Sequence, residues 1–242
     1  MPASRETSPE NDVFTTFTEI VPVRENKQAA TTSITFGHLL PPTTPLVLHE
    51  DLQQGCGGQL WPAGMVLSKY ILQNHSTSLR GKKIAEIGAG GGLVGLAVAL
   101  GCEMDAGQKI YITDQVPMLA LMKKNILLNK LHDKVEAMVY DWGTPPPAEL
   151  VAAAQWPDIV LAADCVYFEP AFPLLLHTLT DLIGPQTTCF FCFKKRRKAD
   201  MRFIRDMIKK FAVTQVEYDD KEQDQRHGIF LYQVTRAPTI GG

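Results

Sequence analysis

The stretch from residue 83 to residue 100 restricts the fold more than any other. Lys83-Ile84-Ala85-Glu86-Ile87 has the apolar character of a short buried strand and runs directly into Gly88-Ala89-Gly90-Gly91-Gly92. An apolar segment of helical length follows, ending near Leu100. A strand, a glycine turn and a helix in that order make half of a βαβ unit. The glycines let the backbone turn tightly and come close to a ligand.

The same rhythm continues downstream. Strands are expected at 109–113, 135–140, 158–163 and 188–193, with helices at 116–129, 172–183 and 198–210 between them. The run Asp158-Ile159-Val160-Leu161-Ala162-Ala163 is almost wholly apolar, as a central parallel strand covered on both faces requires. Two last strands are expected at 213–218 and 229–234, and a short Ala-rich helix after Pro145-Pro146-Pro147. Upstream, Pro62 suits the first turn of a helix reaching about residue 74. The fold class is therefore α/β, a doubly wound, mostly parallel seven-stranded sheet.

Residues 1–12 are polar and contain Pro2 and Pro9, which predicts a disordered tail. Residues 13–58 read as a β-rich extension, with strand candidates at 20–23, 33–36 and 46–50 separated by prolines. Residues 59–242 form the main domain. A length of 242 residues with 45% apolar composition supports one substantial core.

The net charge of −2 argues against broad nucleic-acid binding, which needs a basic footprint. No apolar run approaches the ~20 residues of a membrane span, and the N-terminus lacks the apolar core of a secretory signal. An odd set of five cysteines suggests free thiols in a reducing compartment, so a cytoplasmic location is expected. A monomer is the expected state. Cys189 and Cys192 have CxxC spacing, but in a strand those positions face opposite ways. The six histidines are scattered, and no metal site is expected.

In a doubly wound sheet, ligands bind just beyond the carboxyl ends of the strands. Glu86, Gly88, Ala89 and Gly90 stand after the first of these. A dinucleotide spacing would need glycine where Leu93 stands, and the acid at Glu86 suits a cofactor with a cationic amino group and a sulfonium better than a pyrophosphate. Asp114, after the second strand, can take two ribose hydroxyls or cap the next helix. Asp141-Trp142 follow the third strand, where Trp142 can pack on an adenine, with Asp141 or the neighbouring backbone at its edge, or in the core. Trp61 is either a cofactor wall or core packing. Asp164-Cys165-Val166-Tyr167 follow the fourth strand, beside the reacting atoms. There a carboxylate can orient an amine while aromatic, desolvating walls favour its neutral form. Capping by Asp164 and packing by Tyr167 are the structural alternative. The run Lys194-Lys195-Arg196-Arg197-Lys198 reads as a solvated face, a dock for an acidic protein surface, or a localisation signal.

Together, Leu60-Trp61-Pro62-Ala63-Gly64, the loop from Glu86 to Gly95, Ile112-Thr113-Asp114, Asp141-Trp142 and Ala163-Asp164-Cys165-Val166-Tyr167 resemble the seven-strand methyltransferases. Within these, the resemblance is to lysine methyltransferase family 16. It implies S-adenosylmethionine as cofactor, contacted by Trp61, Gly88 to Gly90, Asp114, Trp142 and Ala163. It implies methyl transfer to a protein lysine at Asp164 and Tyr167. The stretch from Phe193 to Asp200 is similar to the fungal branch acting on translation elongation factor 1-alpha, which makes that protein the expected partner. Methylation of a small molecule or a nucleic-acid base is the alternative, although Cys165 and Val166 stand where base-modifying enzymes carry two prolines. A cofactor-binding module without catalysis is a third reading.

Overall fold

The computed structural model describes residues 29–41, 43–51, 56–153 and 155–238. The expected tail at 1–12 and the strand candidate at 20–23 lie outside these residues. The described chain opens with an antiparallel hairpin, β1 (Ala30–Ile34) and β2 (Leu46–Glu50). A 3₁₀ turn (Cys56–Gly58) leads into α1 (Pro62–Asn74). Then β3 (Ile84–Ile87), α2 (Leu93–Gly101), β4 (Ile110–Asp114), α3 (Val116–Leu128), β5 (Val135–Val139) and β6 (Ile159–Ala163) alternate. A second 3₁₀ turn (Glu169–Ala171), α4 (Phe172–Leu182), β7 (Thr188–Lys194), α5 (Lys198–Ile208), β8 (Phe211–Gln215), α6 (Lys221–Arg226) and β9 (Ile229–Arg236) complete it.

The main sheet has the order β5-β4-β3-β6-β7-β9-β8. Its first five strands are mutually parallel, and β9 runs antiparallel to both β7 and β8. The chain leaves β3 for β4 on one side and later returns to β6 on the other. The switch point, and hence the ligand crevice, lies over the carboxyl ends of β3 and β6. Side chains alternate across the sheet into two cores. Ile84, Leu161, Phe190 and Cys192 join α1, α2, α3 and the hairpin on one face. Ala85, Ile87, Val160, Cys189 and Phe191 join α4 and α5 on the other. Cys189 and Cys192 thus point apart and are both buried free thiols. Helices α1, α3 and α4 each carry a proline in the first turn, where a missing N–H breaks no helical bond.

Four details depart from the pattern reading. The first strand is Ala30–Ile34, because Phe36 adopts φ +50° in a turn. The Ala-rich segment after Pro147 forms turns and a bridge between Ala152 and Gln155, being too short to nucleate a helix. Helix α5 stops at Ile208, so β8 begins at Phe211 rather than 213. The polar stretch before β9 contains the short helix α6.

The hairpin is held to the domain by two asparagines one helical turn apart, Asn125 on α3 and Asn129 capping its carboxyl end. Asn125 Oδ1 accepts from the His49 N–H at 2.8 Å, and its Nδ2 donates to the carbonyls of His49 (3.2 Å) and Gly91 (2.9 Å). Asn129 Oδ1 accepts from the Val47 N–H at 2.8 Å, and its Nδ2 donates to the Val47 carbonyl at 2.7 Å. Two strand residues advance about 6.7 Å and four helical residues about 6 Å, so the amides match alternate positions of β2. They act as a substitute neighbouring strand. Asn125, fully buried, also joins this clamp to the glycine turn through Gly91. Asn125→Ala would leave buried backbone groups without partners. It should lower the unfolding free energy by about 2–4 kcal/mol in denaturant titration. A loss below about 0.5 kcal/mol would mean the clamp is dispensable.

Candidate active site

Each strand of the crevice ends in a residue singled out from the sequence. The turn after β3 has Gly88 at φ +59° and Gly90 at φ +56°. Neither position has room for a side chain. A Cβ on Gly90 would lie 2.3 Å from the Gly57 carbonyl, and one on Gly88 2.8 Å from Trp142 Cζ2. The turn is tied to β4 by Ala89 N–H to the Thr113 carbonyl (2.9 Å) and Gly90 N–H to Asp114 Oδ2 (2.7 Å). Asp114 Oδ1 also accepts from the Gln115 N–H at 2.7 Å. Asp114 is thus fixed at the rim, half-buried. Burial foremost raises its pKa, and nearby Asp141 adds to the rise.

Glu86 is buried, as its place at the end of an apolar strand implies. It is 2% exposed, and its Oε2 accepts from the Gly95 N–H, in the first turn of α2, at 2.8 Å. Glu86 thus lies beneath the turn and holds the first turn of α2. Burial pushes its pKa up to about 8, the Gly95 and Val94 amides oppose that, and Asp114 adds to it.

Trp142 takes the packing role weighed for it and also borders the glycine turn. It packs against the second core and places its ring edge over Gly88. Ala163 ends β6 half-buried, and Cys165 places its thiol under Gly88, 3.5 Å from the Ile87 carbonyl. Trp61 precedes α1. The approach to it is set by Glu50, whose carboxylate accepts from Thr32 Oγ1 (2.7 Å) and from the Leu60 N–H (3.1 Å).

Asp164 is the most constrained residue of the site. It has φ +55°, a conformation that few residues besides glycine, asparagine and aspartate adopt. Its side chain is 3% exposed, and Arg196 grips both oxygens, Nη1 to Oδ1 at 2.9 Å and Nη2 to Oδ2 at 3.0 Å. The Lys194 N–H adds a bond to Oδ1 at 3.0 Å. The Arg196 guanidinium also lies 5.0 Å from the Trp61 ring centroid, on its face. Tyr167, 36% exposed, offers its carbonyl to Arg197. Arg197 also pairs with Asp200 at 3.0 Å. The basic run is therefore divided. Arg196 and Arg197 turn inward as parts of the site, while Lys195 and Lys198 remain exposed. Arg196, Glu50 and Asn125 were not legible as site residues. A charge run hides an inward arginine, and the other two act over long sequence separations.

This setting fits S-adenosylmethionine. Asp114 and Asp141 lie beside the turn, and Asp141 adds to the raised pKa of Asp114, so a cation relieves the pair and a pyrophosphate would add to it. Among the described residues no lysine or arginine side chain bonds the turn, and no group of side chains is disposed to hold a metal. No described helix is long and apolar enough to cross a membrane. The sheet order, the glycine turn, the acid after the next strand and Asp164 at the switch point accord with a class I S-adenosylmethionine-dependent methyltransferase, the class that the family match and the relatives show. Residues 41–210 match the lysine methyltransferase family, and the chain belongs to that family.

It is 36% identical to the protein-lysine N-methyltransferase EFM6 of Saccharomyces cerevisiae, over 93% of this chain and 98% of that protein. It is 30% identical to EEF1A lysine methyltransferase 3 of Xenopus tropicalis, over 78% of this chain and 79% of that one. Among solved structures it is similar to a Thermus thermophilus 16S rRNA methyltransferase, with TM-score 0.56 and 15% identity over 87% of this chain and 50% of that chain. That last likeness is one of fold.

The raised pKa of Glu86 has a consequence for stability. An exposed glutamate releases its proton near 4.5, whereas folded Glu86 holds it to about 8, so the native state binds more protons between those values. The stability from this group is complete below about pH 4.5 and is lost as the pH rises through about 8. Thermal unfolding of the unliganded protein should therefore show a downward slope from about pH 5 to pH 8 that Glu86→Gln flattens. The same slope in both proteins would show that Glu86 is ionised throughout.

Proposed function

We propose that this S-adenosylmethionine-dependent protein-lysine N-methyltransferase modifies a lysine of translation elongation factor 1-alpha, in the cytoplasm. The target follows from relatives whose names specify that substrate, one of them the mouse EEF1A lysine methyltransferase 3, 31% identical over 90% of both chains. The observation that carries the site is the placement of Asp164, held at positive φ over the switch point beside Tyr167.

When bound, S-adenosylmethionine would supply a methyl group to an unprotonated amine, the bond to its sulfonium sulfur breaking to leave the neutral thioether and the amine's extra proton passing to solvent. The turn from Gly88 to Gly90, Asp114, Asp141, Trp142, Trp61 and Ala163 would hold the cofactor, with Asp114 suited to the ribose hydroxyls. Asp164 orients the amine. A carboxylate offers about four lone-pair sites. Lys194 and Arg196 engage two on Oδ1, and Arg196 engages one on Oδ2. One site on Oδ2 is left for an amine hydrogen. Tyr167 supplies an aromatic wall that excludes water and favours the neutral amine.

Tritiated cofactor incubated with recombinant elongation factor 1-alpha should label that protein, and mass spectrometry should place the label on lysine. Label on RNA or small solutes, and none on the protein, would overturn the reading. Asp164→Asn keeps the shape and tolerates positive φ. It should reduce kcat by about 10²-fold, while calorimetric affinity for S-adenosylmethionine changes less than about 3-fold.

A further inference from the structure

Arg196 occupies an unexpected position for a residue in a surface charge run. Its guanidinium pairs with both oxygens of Asp164, lies on the face of Trp61, and donates to the Lys194 carbonyl at 3.1 Å. Its backbone N–H donates to Asp200 Oδ2 at 2.8 Å. With the side chain only 18% exposed and engaged on three sides, it is clamped rather than free to swing.

This arrangement bears on a problem the chemistry must solve. A lysine amine has a reference pKa of about 10.4, and only its neutral form attacks. A bare carboxylate within about 4–6 Å would favour the ammonium and deplete the nucleophile. The residue that orients the amine would then also inhibit it. We propose that Arg196 is a positioning residue that resolves this conflict: by neutralising Asp164 it lets the carboxylate orient the substrate amine without holding it as an ammonium ion. The inference rests on the reading of Asp164 as the amine's partner. Arginine suits the task better than lysine. Its planar fork matches both carboxylate oxygens, and it has no proton to exchange near neutral pH.

The surroundings leave this task to Arg196. From β7, Lys194 offers Asp164 only its backbone N–H. The Cys192 thiol, also on β7, is pushed well up by burial foremost, with Asp164 and Asp224 of α6 adding to the shift, so it stays uncharged. Cys165 is likewise pushed well up by burial foremost, with Asp114, Asp164 and Glu86 adding. Asp200 of α5 faces Arg196 but is itself paired with Arg197. Among the described residues, Arg196 is the one cationic side chain bonded to Asp164.

The test is the pH dependence of kcat, measured with the protein that accepts label and with saturating cofactor. In Arg196→Met the acid limb should move about one unit or more to higher pH, with at least a ~10-fold loss near pH 7 that is largely recovered at high pH. Arg196→Lys restores the charge but not the fork. Its limb should stay near that of the wild type while kcat falls at every pH. Thermal unfolding and cofactor calorimetry establish that each variant is folded, and Arg196→Gln serves if the methionine variant is not. Equal losses at every pH in Arg196→Met would overturn the inference and leave Arg196 a structural role. An Arg196→Lys limb displaced as far as that of Arg196→Met would overturn it too. Asp164→Asn separates the two readings. Full activity there removes the amine partner and both readings with it. A lowered kcat there, combined with an unmoved limb in Arg196→Met, overturns the Arg196 role alone.

Discussion

The buried ion pair between Asp164 and Arg196 joins the separate parts of the site. Asp164 follows the central strand β6, Arg196 lies beyond β7, and Trp61, on which the guanidinium rests, immediately precedes α1. Losing one partner of a buried pair costs about 3–5 kcal/mol, because the other is left charged and unpaired. The pair therefore holds the loops after β6 and β7 in one arrangement, at a residue whose backbone is already strained. It also sets the net charge met by an arriving amine.

The cofactor side depends on a different economy of contacts. The turn after β3 is shaped from below by Glu86, from the side by Asp114 and from above by Gly57. The hairpin reaches the same turn through Asn125 and reaches Leu60, the residue before Trp61, through Glu50. An extension that could be taken for decoration thus positions two walls of the site. It does so with side chains that imitate a neighbouring strand, so β2 gains partners on a helix.

Much of the fold was readable because its signals are local. A buried strand, a glycine turn and a proline at a helix start each declare themselves within a few residues, and β3, α1 and β6 lie where their patterns placed them. Boundaries went astray where two structures compete over few residues, as between α5 and β8, or where a segment was too short to carry a helix, as after Pro147. The strand-end acids could be found because topology alone brings strand ends together. The bond from the Gly95 amide to Glu86 could not, since the pattern shows that an acid precedes the turn but not which groups it meets. Arg196 was hidden for a related reason. Five consecutive basic residues look alike in sequence, and only the bend after β7 decides which of them turns inward.

The central claim is that the cofactor lies across the glycine turn with its reacting end toward Asp164. A crystal structure with S-adenosylhomocysteine tests this most directly. The account predicts the ribose hydroxyls on Asp114, the adenine against Trp142, and the sulfur directed to the Asp164–Arg196 pair with that pair intact. A nucleoside bound elsewhere, or a sulfur directed away from Asp164, would contradict it.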